Sequence, residues 1–180
     1  MTGVAMALFA YLDRLLRRIS YIGFLAASAL LLIVGLMGAT DVVSTNIFLR
    51  PIPGMVELSG AFLAVIVFLG LAEAQARGSH IIIDVATQNL GPRMKRISGI
   101  ISLTIAGALM ALIAWQTTRL ALNSWAIREA ALGALAFPVA PFKSVAAFGA
   151  WLAAAEFARQ LLRLIAGADV ASDTKAGPDA

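Results

Sequence analysis

The stretch ISGIISLTIAGALMALIAWQTT, residues 97–118, decides the fold of this chain. It runs for 22 residues without a charged side chain and is bracketed by Arg96 and Arg119. About 20 consecutive apolar residues are enough for a helix to cross the hydrocarbon core of a bilayer. The stretch therefore predicts a transmembrane helix.

Three further segments extend this prediction. Residues 19–40 are equally long and uncharged, too long for the apolar region of about 7–15 residues in a signal peptide. Residues 58–76 form a shorter span that keeps Glu57 and Glu73 near opposite interfaces, and residues 144–165 form a span that carries Glu156 and two arginines. We therefore predict an all-α integral membrane protein with four transmembrane helices.

The composition agrees with this fold class. Apolar residues make up 61% of the chain and charged residues 13%, against roughly 25% charged residues in an average soluble domain. The net charge of +4 would suggest nucleic acid in a soluble protein. In a membrane protein, Lys and Arg accumulate in cytoplasmic loops, so we expect the lipid bilayer as partner and no nucleic acid.

The positive-inside rule orients the four spans. Ten of the 14 Lys and Arg fall on the side that holds both termini, which we predict to be cytoplasmic. The predicted segments outside the spans are an interfacial amphipathic helix over 1–18, periplasmic loops over 41–57 and 119–143, a cytoplasmic loop with a short helix over 77–96, and a disordered cytoplasmic tail over 166–180. The first of these segments is either a plain anchor or a dock for a partner.

The sequence carries no constellation typical of an enzyme. His80 is the only histidine and cysteine is absent, which excludes a bis-histidine haem within one chain and any cysteine-ligated metal. No nucleophile, base and orienting group occur together. We expect no catalytic residue, no metal site and no cofactor.

The connection after the first span combines helix breakers with charges. A helix break at membrane depth must face protein or water, because lipid cannot satisfy free backbone groups. We interpret this connection as a partner or docking site, and a simple turn between helices is the alternative. Its candidate residues are Asp41, Arg50, Pro51, Pro53, Gly54 and Glu57.

The connection after the second span contains two pairs at i, i+4 spacing, Glu73 with Arg77 and His80 with Asp84. This spacing favours side-chain pairing on a helix, so we assign both as structural pairs on the cytoplasmic side. A proton-relay role for His80 is the alternative.

Small residues recur at a spacing of four, which permits close helix contact. Each pair serves packing within the chain or a surface for a partner, and the sequence leaves both open. The pairs are Gly35 with Ala39, Gly60 with Ala64, Gly107 with Ala111, and Gly149 with Ala153.

Three short stretches carry a family resemblance: RPIPGMVEL at 50–58, FLGLA at 68–72 and RGSHI at 77–81. Together with the chain length and the four-span layout, they resemble the small, DctQ-like membrane subunit of tripartite ATP-independent periplasmic (TRAP) transporters. Thr45 and Leu49 depart from the Arg and Asn that the family often carries at these places, which weakens any contact assigned to that turn.

The resemblance implies secondary transport. A periplasmic substrate-binding protein (DctP-like) would deliver an organic acid, such as a C4-dicarboxylate or a sugar acid, to a large membrane subunit (DctM-like) that uses a sodium gradient. The small subunit would scaffold the large one in the bacterial inner membrane and help dock the binding protein. A self-sufficient proton-coupled exporter using Glu57 or Glu73, and a non-transport membrane adaptor, are the alternatives.

Overall fold

The computed structural model describes residues 3–77, 91–133 and 135–165. These residues form four helices, α1 (Gly3–Phe48), α2 (Met55–Ala76), α3 (Pro92–Ala126) and α4 (Ala140–Ile165). An isolated β-bridge joins Ala130 and Pro138 in the loop between α3 and α4. The described part of the chain is thus all-helical apart from this bridge, as the sequence predicts.

Three helices contain stretches that are long and apolar enough to cross a membrane: Asp13–Phe48, Met55–Ala76 and Arg93–Ala126. The fourth helix is not among them, because it is rich in alanine and carries charged residues toward both ends. A span over 144–165 therefore stays a prediction, although a helix of 26 residues covers this region.

The first helix is longer than the sequence analysis expects. It runs without interruption for 46 residues, through the predicted interfacial segment 1–18 and beyond the predicted span end at residue 40. A helix of this length extends about 69 Å at 1.5 Å per residue, more than twice the ~30 Å hydrocarbon core. Residues 3–18 are part of this one helix, so an interfacial position for the segment 1–18 stays a prediction. The non-helical part of the first connection is limited to residues 49–54.

The helices pack in the order α1, α2, α4, α3. α2 lies between α1 and α4, and α4 lies between α2 and α3, so α1 and α3 are the outer helices. The main core is built largely of alanine, including Ala72, Ala114, Ala150 and Ala153, each fully buried. Small side chains in the core let the helix axes approach closely, as is common where helices associate in a membrane.

Two of the four small-residue pairs serve packing within the chain. A Cβ placed on Gly149 would lie 2.7 Å from the backbone carbonyl of Phe68, so α4 touches the α2 backbone there. A Cβ on Gly107 would lie 3.3 Å from Phe157 of α4. Gly35 and Gly60, in contrast, have nothing within 4 Å of such a Cβ and lie on exposed helix surfaces.

Hydroxyl side chains inside the helices donate to their own backbone. Each of these hydroxyls lies 2.7–2.9 Å from the carbonyl oxygen four residues earlier. This bond satisfies a polar group that lipid cannot, so a hydroxyl is tolerated within a span. The residues are Ser28, Thr40, Thr104, Thr117 and Thr118.

Candidate functional site

The connection between α1 and α2 is tied back onto the end of α1. The Asp41 carboxylate accepts a hydrogen bond of 2.7 Å from the backbone N–H of Ile52. The Ser44 hydroxyl donates to the backbone carbonyl of Arg50 at 2.6 Å. Pro51 and Pro53 are exposed between these contacts, as is the Arg50 side chain. Asp41 therefore fixes the shape of the turn, while Arg50 points away from the bundle.

Gly54 and Glu57 carry this connection into contact with the loop that precedes α4. Gly54 is buried with a φ of 78°, a left-handed conformation that favours glycine, and a Cβ there would collide with Leu135 at 2.5 Å. The Glu57 carboxylate packs against Gly133, since a Cβ on this glycine would overlap its oxygen. The two loops thus form one surface, in which the negative Glu57 also lies at the favourable N-terminal end of α2.

A polar cluster anchors the loop between α3 and α4. Lys143 Nζ donates to Glu129 Oε2 at 2.6 Å and to Ser124 Oγ at 2.9 Å, and the Ser124 hydroxyl donates to Glu129 at 2.5 Å. The hydrogen bond from Lys143, and then the one from Ser124, hold the pKa of Glu129 below its usual range. Trp125 Nε1 donates to Ser144 Oγ at 2.9 Å and links the same two helices.

At the opposite end of the bundle, Glu73 and Arg77 form the ion pair that their spacing predicts. Arg77 Nε lies 3.0 Å from Glu73 Oε1, and its guanidinium sits over the Phe24 ring of α1 at 5.3 Å. His80 and Asp84, the second predicted pair, lie outside the described residues. The structure therefore shows the pair of Glu73 and Arg77, and the pairing of His80 with Asp84 stays a prediction.

A buried ionic cluster at this end joins α1 to α4. Asp13 accepts hydrogen bonds from Arg159 Nη1 at 2.7 Å and from Arg163 Nη2 at 2.5 Å. Arg159 also donates to both carboxylate oxygens of Glu156, through Nε at 2.8 Å and through Nη2. Glu156 is 0% exposed and Arg159 is 6% exposed. Such charges are tolerated away from water because they are paired and hydrogen-bonded.

Two glutamines extend the cluster to α2. Gln75 Nε2 donates to Gln160 Oε1 at 2.8 Å, and Gln160 Nε2 donates to the backbone carbonyl of Gln75 at 2.6 Å. Gln160 Nε2 also lies 3.1 Å from Glu156 Oε1, which connects the amide pair to the ionic cluster. Polar contacts therefore tie α1, α2 and α4 together at one end.

The sequence analysis identified only part of this cluster. It placed Glu156 and two arginines in the fourth span and treated residues 1–18 as an interfacial helix, without linking the two segments. Instead Asp13 turns inward and meets arginines about 150 positions away. One pattern in the sequence could have indicated the cluster, because four polar residues of α4 lie on one side of the helix: Glu156, Arg159, Gln160 and Arg163.

The polar groups described at each end of the bundle bond to neighbours at the same end. Within residues 3–77, 91–133 and 135–165, no group of three or more His, Asp or Glu side chains is placed to hold a metal ion. The polar contacts join helices and shape the loops between them.

This fold defines a multi-pass helical membrane protein, with at least three helices apolar enough to span the bilayer. The family model of the DctQ component of tripartite ATP-independent periplasmic transporters matches residues 34–167, well over half of the chain. The chain belongs to this family, which confirms the resemblance seen in the sequence. Comparison with curated proteins and with solved structures gave no significant match.

Family membership makes the chain a small subunit of a TRAP transporter and a multi-pass protein of the inner membrane. A tripartite transporter implies two further components, a large membrane subunit and a binding protein. The matched region contains α2, α3, α4 and the final part of α1. Asp13 lies before it, whereas its arginine partners lie within it.

Proposed function

We propose that this chain scaffolds the large membrane subunit of a TRAP transporter and helps dock the periplasmic binding protein, for sodium-coupled uptake of an organic acid such as a C4-dicarboxylate or a sugar acid. Family membership supports the transporter role. The observation that supports the scaffold role concerns the four pairs of small residues: two pairs contact a neighbouring helix within the chain, and two lie on exposed helix surfaces.

The open small residues suit a partner helix. Gly35 with Ala39 on α1, and Gly60 with Ala64 on α2, are exposed and have free space above the glycine. The pairs on α3 and α4 already contact a neighbouring helix at their glycines. Without a hydrophobic driving force between helices in lipid, close backbone approach at small residues is a main source of association. The exposed pairs therefore offer contacts to a larger helical subunit.

The two joined loops support the docking role. Arg50 is exposed beside Leu49, and Arg128 is exposed at the start of the second loop. Asp41 and Gly54 hold the first loop in one shape, so its exposed side chains are presented without a further ordering cost. We assign this end of the bundle to the periplasm, with both termini in the cytoplasm.

The pairing of the buried acids argues against ion coupling within this chain. Glu156 and Glu73 each have an arginine partner within hydrogen-bond distance. A carrier carboxylate has to be free to release and rebind its proton or ion during each cycle, whereas both of these acids are held in ion pairs within the chain. An exporter mechanism built on Glu73 is correspondingly disfavoured.

Leucine substitutions at the glycines test the scaffold proposal. Gly60→Leu should leave the isolated chain folded, because nothing lies within 4 Å, yet prevent its co-purification with the large subunit. Gly149→Leu serves as the contrasting control, because a Cβ there would lie 2.7 Å from the Phe68 backbone and the substitution should affect folding first. Normal co-purification of Gly60→Leu and Gly35→Leu would contradict the scaffold surface.

Reconstitution tests the transport role. Proteoliposomes containing this chain alone should take up no labelled organic acid, whereas the chain, the large subunit and the binding protein together should do so under a sodium gradient. Uptake by the chain alone would refute the proposal. Full uptake by the other two components would show that the scaffold is dispensable.

A further inference from the structure

The loop between α3 and α4 has an unusual composition for a loop in water. From Ala130 to Phe142, thirteen consecutive residues carry no charged or polar side chain. Loops exposed to water are normally rich in Gly, Pro, Asn, Asp and Ser, because these residues satisfy or shape the turn. A stretch of this composition fits an apolar medium better than water.

The tip of this loop is both exposed and held in place. Leu132 is 99% exposed and Leu135 is 50% exposed. The base of the loop is closed by backbone hydrogen bonds, from Ala131 N–H to the Phe137 carbonyl at 2.9 Å and from Val139 N–H to the Glu129 carbonyl at 3.2 Å. These bonds satisfy backbone groups at the base of the loop and hold its two arms together, so the tip projects from a fixed base.

The loop also lies at the depth where the apolar spans end. Gly133 and Leu135 contact Glu57 and Gly54, at the first turn of the membrane-spanning α2. Phe137 packs edge-on against Phe142, with 5.7 Å between ring centroids. Trp125, at the end of α3, is 58% exposed. Aromatic residues are enriched at the level of the lipid headgroups, which marks this end of the bundle as the interface.

The neighbouring residues show the same pattern. Leu49 is 83% exposed and Val56 is 80% exposed, and the exposed Arg50 lies between them in the sequence. At the start of the second loop, exposed Ile127 is followed by exposed Arg128. Apolar side chains beside an arginine suit a membrane interface in which the apolar groups enter the lipid while the guanidinium extends to the polar side, where a docking protein would also lie.

We propose that this loop inserts its apolar tip, centred on Leu132, into the lipid at this end of the bundle. A lipid surface fits better than a protein partner, because the side chains of the tip are apolar and the neighbouring carboxylate, Glu57, is packed against Gly133 at the first turn of α2. The apolar exposure also continues from the lipid-facing spans into the loop. This proposal goes beyond the transporter role, which holds whether or not the tip contacts lipid.

Spin labels on single cysteines test this contact, since the chain has no cysteine of its own. We would place labels separately at Leu132, at Leu109 in the exposed middle of α3, and at the exposed Arg93, which lies outside the predicted spans and outside this loop. The full chain is reconstituted in vesicles of phosphatidylethanolamine and phosphatidylglycerol. Collision rates are measured with oxygen, which concentrates in the bilayer, and with a water-soluble nickel chelate.

A label at position 132 should behave like the one at 109, with a several-fold higher ratio of oxygen to nickel collisions than at 93. Ala136→Cys, on the same exposed loop, provides a second labelled variant if Leu132→Cys does not fold. A ratio at 132 equal to that at 93 would overturn the proposal. Protection from nickel that arises only when the large subunit is added would also overturn it, in favour of a protein contact.

Discussion

Gly149 lies at the closest approach between α4 and α2, and replacing it with alanine should weaken the bundle measurably. The added Cβ would lie 2.7 Å from the carbonyl carbon and oxygen of Phe68 and 2.8 Å from the amide nitrogen of Leu69. These are backbone atoms, so no flexible side chain can move aside. Reaching a normal contact near ~3.5 Å would require the two helices to separate by roughly 0.8 Å.

The expected cost follows from two opposing terms. Overpacking a close contact costs about 1–3 kcal/mol, while alanine in place of glycine stabilises a helix by up to about 1 kcal/mol. Because the obstructing atoms are backbone atoms, we take the upper part of the overpacking range, about 2–3 kcal/mol, and expect Gly149→Ala to lower the free energy of unfolding by about 1–2 kcal/mol. Reversible unfolding of the purified chain in mixed micelles, with a rising fraction of dodecyl sulfate and helicity followed by circular dichroism, measures this quantity.

Gly60→Ala is the matched control for this prediction. Like Gly149 in α4, Gly60 in α2 is a glycine inside a helix, but a Cβ at Gly60 would meet nothing within 4 Å. This variant should unfold at the same or a slightly higher detergent fraction than the parent chain, since only the gain in helix propensity remains. Equal midpoints for Gly149→Ala and Gly60→Ala would refute the backbone contact between α4 and α2.

Three further predictions concern the two ends of the bundle. Asp13→Asn removes the charge partner of two arginines and should lower the free energy of unfolding by about 1–3 kcal/mol in the same assay, whereas the exposed Arg18→Gln should change it by less than about 0.5 kcal/mol. Because the pKa of Glu129 is lowered in the folded chain, its ion pair with Lys143 stabilises the fold fully above the ordinary carboxyl pKa, and this stabilisation is lost as the pH falls through the lowered pKa of the folded chain. Glu129→Gln should therefore reduce the loss of stability between neutral and acidic pH. An unchanged dependence of stability on pH would contradict this assignment. A single cysteine at the exposed Thr45 should react with an impermeant reagent in intact cells while one at Arg93 is protected, and the reverse pattern would invert the proposed topology.

Much of the fold is readable from the sequence because a bilayer imposes a simple constraint. An uncharged run of about 20 residues has to be a helix in lipid, so residues 19–40 and 97–118 could be placed without knowledge of tertiary contacts. The span over 58–76 was placed from a shorter uncharged stretch, 58–72, with Glu73 near the interface. The helix ends were less predictable. Charge marks where a span leaves the hydrocarbon, not where the helix stops, and α1 accordingly continues past Asp41 to Phe48.

In the candidate site, too, contacts between near neighbours in the sequence could be predicted, and contacts between distant residues could not. The spacing of Glu73 and Arg77 is sufficient to predict their pairing, because i, i+4 neighbours always share a helix face. The contact between Glu57 and Gly133, and the buried position of Asp13, depend on residues far away in the chain. Local periodicity contains no information about such distant partners.

The sequence by itself determined the fold class, the apolar spans and the family motifs, since each depends on composition or on spacing along one segment. Tertiary structure alone decided which glycines touch a neighbouring helix and which remain open, and that Asp13 joins α1 to α4. The physical reason is that a small residue or a charge has the same local pattern in either role. Only the packing of α2 between α1 and α4 brings a second backbone or a second charge to it.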